Sequence, residues 1–380
     1  MAFVLVVGLS ACGGDGGGTT GEATTGEATT GEATTGEATT GAATTGGGEP
    51  CVRVAFVYEN ETKTPGFEHA QKLGEEQLKQ ELPCAEVKAV ESVAEGPGAE
   101  QIFAQLADEG NDLIFGLSFG YADQILAVAE QYPNVKFEHA LGFQQAENVS
   151  TFYGALYESW YLAGIAAARQ VPSGKLGFVA PFPIPASISE VNAFALGAQS
   201  VNPDATVQLV YTNDFEDPVK DRQAAGALVD EGVEVLGQAT GSPSVGEVAV
   251  TEDVAWIGSH DPAVETFGPE TFLAAPYLQW GVYFIARAQD VIDDNWKSQN
   301  YFGTIGDEFV ELALSEGLPA PVTDEVEGKK QEIADGSLVV FAGPIKDQSG
   351  KVIVPEGETG TFDVMSTTLV EGVIGEIPQG

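Results

Sequence analysis

From residue 52 onward, apolar runs of strand length alternate with longer segments whose apolar residues recur at helical spacing. The run VRVAFVY at 52–58 has the length and β-branched content of a buried strand, and 66–82 has the periodicity of a helix. The same alternation predicts strands at 86–93, 112–118 and 135–141, and helices at 98–109 and 121–131. A strand–helix series of this kind predicts a parallel sheet with helices on both faces.

The pattern starts again after a long apolar helix predicted at 157–170. Strands are predicted at 175–182, 206–212, 233–239 and 254–259, helices at 187–200, 217–231, 243–250 and 280–294, and a hairpin at 338–355. Two consecutive series predict two similar α/β lobes, each built on a doubly wound parallel sheet. Ligands bind such lobes where the carboxyl ends of their strands face each other.

The N-terminal segment has a different character. Residues 2–10 form an apolar run that is too short to span a bilayer, which takes about 20 residues, and LSAC with Cys12 follows at its end. We interpret residues 1–12 as a lipoprotein-like signal peptide ending at a lipidated Cys12; the alternative is a free or buried cysteine. Residues 13–50 contain a Gly-Glu-Ala-Thr-Thr repeat that starts at Gly21, and this composition predicts a disordered acidic tether. The folded part is therefore expected on a lipid anchor at the cell membrane, facing the extracellular or periplasmic side.

The charge of the chain excludes several classes of partner. There are 57 acidic and 16 basic residues, which give a net charge of −41 at pH 7. Such a charge repels nucleic-acid backbones and anionic lipid surfaces. It suits a protein that stays soluble in concentrated salt, where screening removes self-repulsion, and we interpret the source as halophilic.

Two further cysteines, Cys51 and Cys84, stand just before the first two predicted strands. Starts of adjacent parallel strands lie close enough to be bridged, so in an exported protein these cysteines form a disulfide or remain two buried thiols. No CxxC motif and no cluster of histidine and cysteine predicts a zinc site.

Aromatic residues recur just after the predicted strands, where ligand sites lie in doubly wound sheets. Acidic residues stand among them. The candidate ligand-binding residues are Phe67, Phe119, Tyr121, Phe182, Phe215, Asp217 and Asp261. A single such aromatic is more often part of a core. Several at one face of both sheets describe a pocket that stacks a flat ring and hydrogen-bonds its edge or an attached sugar.

Phosphate-binding and dinucleotide-binding motifs are absent from the sequence. It has no Walker loop and no Gly-x-Gly-x-x-Gly after a strand. The histidines His69, His139 and His260 are scattered along the sequence and belong to none of these motifs. The sequence therefore predicts a binding protein, and neither an enzyme nor a cofactor-dependent protein.

Several blocks resemble the basic membrane protein (BMP) family of lipoproteins, which are substrate-binding components of ABC importers typified by purine-nucleoside receptors. The blocks are GNDLIFGLSFGYAD (110–123), FEHALGF (137–143), 148–167, GFVAPFPIP (177–185), 192–214 and FAGPIKDQSGKV (341–352). The resemblance implies a type I periplasmic-binding-protein fold, with two lobes joined by a hinge of three crossovers. It also implies a small-molecule ligand, an ABC permease as partner and a monomer. We expect lobe 1 at 51–172 plus about 276–335, and lobe 2 at 173–275 plus about 336–380.

The resemblance also implies roles for single residues. Family members stack a purine between aromatics of the two lobes, and Phe182 with Phe67 or Phe119 matches those places best. Further matching places are Phe215, where relatives carry Trp, Asp217, Asp261 and Trp280. The chain departs from the family where Gly241 replaces the Asp of an Asp-Ser-Pro turn. Because this carboxylate is missing, a nucleoside, a free purine base, another flat heterocycle or a sugar all stay open as ligands.

Two other functions stay open at the level of sequence. One is a ligand-sensing receptor subunit that signals to a membrane protein, which a neighbouring permease gene would argue against. The other is a surface hydrolase acting on nucleosides, which would release free base.

Overall fold

In the computed structural model, which describes residues 49–378, helices cover two sheets, and a two-stranded hairpin lies near the C-terminus. The strands are β1 (Val52–Val57), β2 (Ala85–Val90), β3 (Leu113–Gly116), β4 (Lys136–Ala140), β5 (Val149–Gly154), β6 (Lys175–Ala180), β7 (Thr206–Tyr211), β8 (Val235–Gln238), β9 (Ala255–Ile257), β10 (Phe272–Leu278), β11 (Asn300–Gly303), β12 (Val310–Leu314), β13 (Ile345–Lys346), β14 (Val352–Val354) and β15 (Val373–Ile374). The helices are α1 (Phe67–Glu81), α2 (Pro97–Asp108), α3 (Ala122–Gln131), α4 (Leu156–Gln170), α5 (Pro185–Val201), α6 (Pro218–Asp230), α7 (Ser244–Glu252), α8 (Trp280–Ile292), α9 (Ala320–Ala334) and α10 (Phe362–Met365).

The first sheet has the order β11-β5-β4-β3-β1-β2, and all its pairings are parallel. Its central strands are covered on both faces, and every residue of β3 is buried. This burial is why these strands are continuous apolar runs instead of alternating polar and apolar residues. The predicted βαβ series is present here, and we call this sheet with its helices lobe 1.

The second sheet has the order β12-β10-β9-β8-β6-β7-β15 and forms lobe 2. Its pairings are parallel except at one edge, where β12 runs antiparallel to β10. The sequence pattern does not predict β10. This strand contains Pro276, and proline normally argues against a strand that is paired on both sides. The fold class is the predicted one, with two doubly wound α/β lobes.

Strand pairing divides the chain differently from the expected lobe boundaries. The boundary at about 276 falls inside β10, and β12 belongs to lobe 2 although it lies in the range assigned to lobe 1. Helix α4 follows the first sheet in sequence but packs against α5 and β10, and α9 packs on α4. Most residues of α4 are buried, so this helix needs covering on nearly all sides, and only the second sheet and its helices provide that cover.

A disulfide joins Cys51 and Cys84, whose Cα atoms are 5.4 Å apart. Val52 lies opposite Ala85 in the parallel β1–β2 pair, so the two cysteines stand side by side at the strand starts. They are 33 residues apart in the chain, and closing a loop of that length stabilises the folded state by about 3–4 kcal/mol in the chain-entropy model. The predicted signal peptide, Cys12 and nearly all of the predicted tether lie outside the described residues.

None of the helices in residues 49–378 has the length and hydropathy needed to cross a bilayer.

Helices α4 and α5 approach so closely that two glycines are required between them. A Cβ on Gly197 would lie 1.9 Å from the carbonyl oxygen of Tyr161, and a Cβ on Gly164 would lie 2.2 Å from that of Phe194. These obstacles are backbone atoms, so they cannot move aside as a flexible side chain would. The contact places α5, which borders the ligand cleft described below, against the core of lobe 2.

We predict that Gly197→Ala destabilises the protein by about 1–3 kcal/mol, the usual cost of overpacking a core. The measurement is the free energy of unfolding from urea titration. The matched control is Gly226→Ala in α6, where an added Cβ would meet nothing within 4 Å. That control should gain up to about 1 kcal/mol from helix propensity. Equal shifts in the two variants would contradict the close contact.

Candidate functional site

A cleft with about 730 Å³ of empty space, part of it open solvent, lies between the lobes at the carboxyl ends of their strands. Lobe 1 contributes residues that follow β1 and β3, and lobe 2 contributes residues that follow β6, β7, β8 and β9. The cleft is therefore at the position predicted from the strand pattern.

Four phenylalanine and tyrosine rings line the cleft, those of Phe67, Phe119, Tyr153 and Phe215, and three of them contact a further ring. Phe67 meets the edge of Trp280 with ring centroids 5.5 Å apart. Phe215, from lobe 2, contacts Phe182 at 4.8 Å. Phe119 lies 5.9 Å from Phe143, which is largely exposed. The rings come from both lobes, as a site that holds a flat molecule requires.

Several predicted ligand contacts do not line the cleft. Trp280 and Phe182 contact Phe67 and Phe215 but do not themselves line the cleft. Tyr121 is fully buried in the core of lobe 1, and its hydroxyl donates to the carbonyl of Val93. Asp217 caps α6 by accepting hydrogen bonds from the Val219 and Lys220 amides. A strand-end position therefore does not distinguish a cleft residue from a helix cap or a core residue.

Asp261 connects the two lobes. Its carboxyl is fully buried after β9 in lobe 2, and Oδ1 accepts from the Ala263 amide at 2.9 Å. Oδ2 accepts from the Gly66 amide at 3.1 Å and lies 2.5 Å from Nδ1 of His69, both at the start of α1 in lobe 1. A carboxylate only accepts, so His69 donates through Nδ1. The hydrogen bonds of Asp261 are thus made within the protein and across the cleft.

Four glutamates line the cleft, and no lysine or arginine does: Glu59, Glu68, Glu190 and Glu216. Burial raises the pKa of each carboxyl, to about 8 for Glu190 and to about 7 for Glu216, which also lies near Glu68. Sequence reasoning missed all four. Glu59 and Glu216 follow strands as the predicted residues do, but Glu190 lies inside a helix and has no strand-end signal.

The two short contacts of the Ser118 hydroxyl require a proton on one of two neighbouring carboxyls. Its Oγ lies 2.6 Å from Oε2 of Glu59 and 2.6 Å from Oε1 of Glu95, which also accepts from the Gly120 amide. One hydroxyl has one hydrogen, so the second short contact needs a proton on a carboxyl. Burial is the main cause that raises the pKa of Glu59, the neighbouring carboxylates add to it, and the hydrogen bond with Ser118 lowers it.

The rings of His139 and His260 both contact backbone carbonyls. Burial lowers the pKa of His139, whose Nε2 lies 2.9 Å from the carbonyl of Ser118. Burial also lowers the pKa of His260 to about 4, so this cleft residue is neutral at pH 7. Within residues 49–378, no three acidic, histidine or cysteine side chains converge as a metal site would require.

Comparison with known proteins assigns the chain to a family. Residues 51–344 match the Bmp family, described as PnrA-like ABC transporter substrate-binding proteins. The protein belongs to this family. As a Bmp protein it is a substrate-binding component of an ABC transporter, it acts outside the cytoplasm, and its partners are a small-molecule ligand and a permease. The predicted family and fold are both confirmed.

Individual relatives differ in what their names say they bind. A purine-binding protein of Brucella abortus is 35% identical over 87% of this chain and 95% of its own length. A Haloferax volcanii protein, provisionally named as an ABC transporter glucose-binding protein, is 35% identical over 87% of this chain and 84% of its own. Among solved structures, an ABC transporter solute-binding protein of Conexibacter woesei has a TM-score of 0.64 at 22% identity, covering 76% of this chain and 98% of its own.

We predict that Asp261→Asn weakens the contact between the lobes. Asparagine has one carbonyl oxygen in place of two charged ones, so it cannot accept from all three partners. A lost hydrogen bond to a charged group is worth about 1.5–3 kcal/mol, which shifts the equilibrium between closed and open lobes about 10- to 100-fold toward open. Small-angle X-ray scattering should report a larger radius of gyration. The control is Glu270→Gln, an exposed carboxyl of lobe 2 just before β10, and equal scattering from both variants would contradict the prediction.

Proposed function

We propose that this Bmp protein captures a purine base or purine nucleoside in the cleft between its lobes and delivers it to an ABC permease. The observation that supports this most strongly is the cleft lining, in which aromatic rings from both lobes surround a space bordered by glutamates. Stacking holds the flat ring, and carboxyl oxygens accept hydrogen bonds from ring N–H, amino or ribose hydroxyl groups. The purine-binding name of the Brucella relative supports the same ligand class.

A sugar is the second candidate ligand. The glucose-binding name of the Haloferax relative supports it, and so do the carboxyls of the cleft, because hydroxyl groups are donors that carboxylates accept. The four phenylalanine and tyrosine residues of the lining favour the purine, because a flat aromatic ligand gains more from stacking on such rings than a sugar does.

The remaining parts of the function are proposals of the same kind. Cys12 carries the lipid that keeps the receptor at the membrane, residues 13–50 form its tether, and the protein works as a monomer without catalysing a reaction. The supporting observations are the LSAC motif, the repeat and the absence of a Walker loop or a Gly-x-Gly-x-x-Gly after a strand in the sequence.

Isothermal titration calorimetry tests the ligand class directly. The panel contains adenine, guanine, hypoxanthine, their nucleosides, D-glucose, and one nucleoside 5′-monophosphate. We expect one purine or nucleoside to bind with 1:1 stoichiometry. The monophosphate should bind at least about 100-fold more weakly, because one pair of like charges about 5 Å apart costs on the order of 3 kcal/mol at a protein surface. Binding of glucose alone would favour the second candidate, and release of free base from a nucleoside would indicate a hydrolase.

We predict that Phe215→Ala lowers the affinity for the purine ligand about 10- to 100-fold, because stacking on one aromatic is worth about 1–3 kcal/mol per base. Phe182→Ala should have a smaller effect, since that ring contacts Phe215 but does not itself line the cleft. The matched control is Phe362→Ala, whose ring is 37% exposed against 38% for Phe215 but contacts Tyr157 and Phe302 instead of the cleft. Calorimetry gives the three affinities, and an unchanged affinity in Phe215→Ala would contradict stacking on this ring.

A further inference from the structure

Glu190 differs from the other cleft glutamates in where it stands. It lies in the second turn of α5, and Ala186 and Ser187, one turn before it on the same helix face, also line the cleft. The residue is only 3% exposed, whereas Glu216 lies at the solvent-accessible mouth. Glu190 is therefore the deep carboxyl of the cleft.

The carboxyl of Glu190 also lacks the hydrogen-bond partners that the carboxyls of Glu59 and Glu68 have. The carboxyl of Glu59 meets the hydroxyl of Ser118, and that of Glu68 accepts from the side-chain amide of Asn60 at 2.8 Å. In the described part of the chain no backbone or side-chain donor bonds to the carboxyl of Glu190, and burial alone accounts for its raised pKa. A buried carboxyl without a partner is costly, so its retention on the cleft wall points to a partner that arrives with the ligand.

We propose that Glu190 is a specificity-determining residue that accepts hydrogen bonds from two neighbouring donors of the bound ligand. This inference rests on the proposed function and deepens it. Two groups of a purine nucleoside present such a donor pair: the N1–H and 2-amino group of guanine, and the 2′,3′-diol of ribose. A carboxylate has two oxygens that accept both donors at once, whereas a ligand without the pair leaves the carboxyl unsatisfied and is rejected.

Ligand binding at Glu190 releases a proton, and this release determines how the affinity changes with pH. Burial raises the pKa of Glu190 to about 8, so the ligand-free carboxyl is mostly protonated at pH 7. Two donors stabilise the ionised form and lower this pKa in the complex, so binding releases a proton below about pH 8. Affinity therefore rises from pH 6 to about pH 8 and then levels. The titratable groups that face the same space are Tyr153, Glu59, Glu68, Glu216 and His260.

The experiment compares wild-type protein with Glu190→Gln by calorimetry at pH 6, 7, 8 and 9. The ligand pairs are guanosine against inosine, which lacks the 2-amino group, and guanosine against 2′,3′-dideoxyguanosine, which lacks the diol. We expect wild-type protein to prefer guanosine at least 10-fold in one of the two pairs, which identifies the source of the donors. Glu190→Gln should lose that preference and the rise of affinity with pH.

The matched control is Glu158→Gln in α4. Burial raises the pKa of the Glu158 carboxyl to about 7, but this carboxyl accepts from the Ile305 amide at 2.8 Å and lies outside the cleft. Its substitution should leave the preference and the pH profile unchanged. Thermal melting of all three proteins separates a loss of contact from a loss of folding.

The outcomes separate the two proposals. If wild-type protein binds guanosine and Glu190→Gln, still folded, keeps its preference and pH profile within about twofold, the role of Glu190 is overturned and the proposed function stands. If wild-type protein binds no purine or nucleoside, the proposed function fails and the inference that rests on it fails too. If Glu158→Gln changes the profile as Glu190→Gln does, the pH effect is not specific to Glu190 and the inference is overturned.

Discussion

The buried carboxylate of Asp261 is the contact on which the geometry of the cleft depends. It lies after β9 in lobe 2 and accepts hydrogen bonds from the start of α1 in lobe 1. A helix N-terminus carries unpaired amides and a partial positive charge, so it is a favourable partner for a buried anion. This contact holds the first turn of α1 against lobe 2. As a result Phe67 meets His260 of the other lobe, with ring centroids 5.3 Å apart.

The cleft beside this contact is lined by acidic side chains. It has carboxyls from both lobes, the neutral imidazole of His260, and no lysine or arginine in its lining. Ser118 and Asn60 bond to Glu59 and Glu68, and burial raises the pKa values of all four glutamates. A ligand for such a site is neutral or cationic and rich in donors, because each unpaired acceptor is costly once the lobes exclude water. The aromatic rings select a flat ligand, and the carboxyls select one that carries hydrogen-bond donors along its edge.

Much of the fold was predictable because its signals are local. The predicted strands at 52–58 and 175–182 correspond to β1 and β6, and the predicted helices at 66–82 and 187–200 correspond to α1 and α5 within a few residues. The site was predictable only in part. Phe67, Phe119 and Phe215 line the cleft, but Tyr121 turned into the core and Asp217 became a helix cap. The direction of a side chain at a strand end depends on what packs behind it, and that information is not local.

The sequence by itself determined the family, the two α/β lobes and the cleft between their strand ends. Each of these follows from periodic apolar patterns and contiguous motifs. Only the tertiary structure decided that α4 packs in lobe 2, that Asp261 bonds across the lobes and that Glu190 lies unpaired in the cleft. These three depend on contacts between residues far apart in the chain. Such contacts are decided by which surfaces remain to be covered once the sheets have formed, and no pattern along the sequence records them.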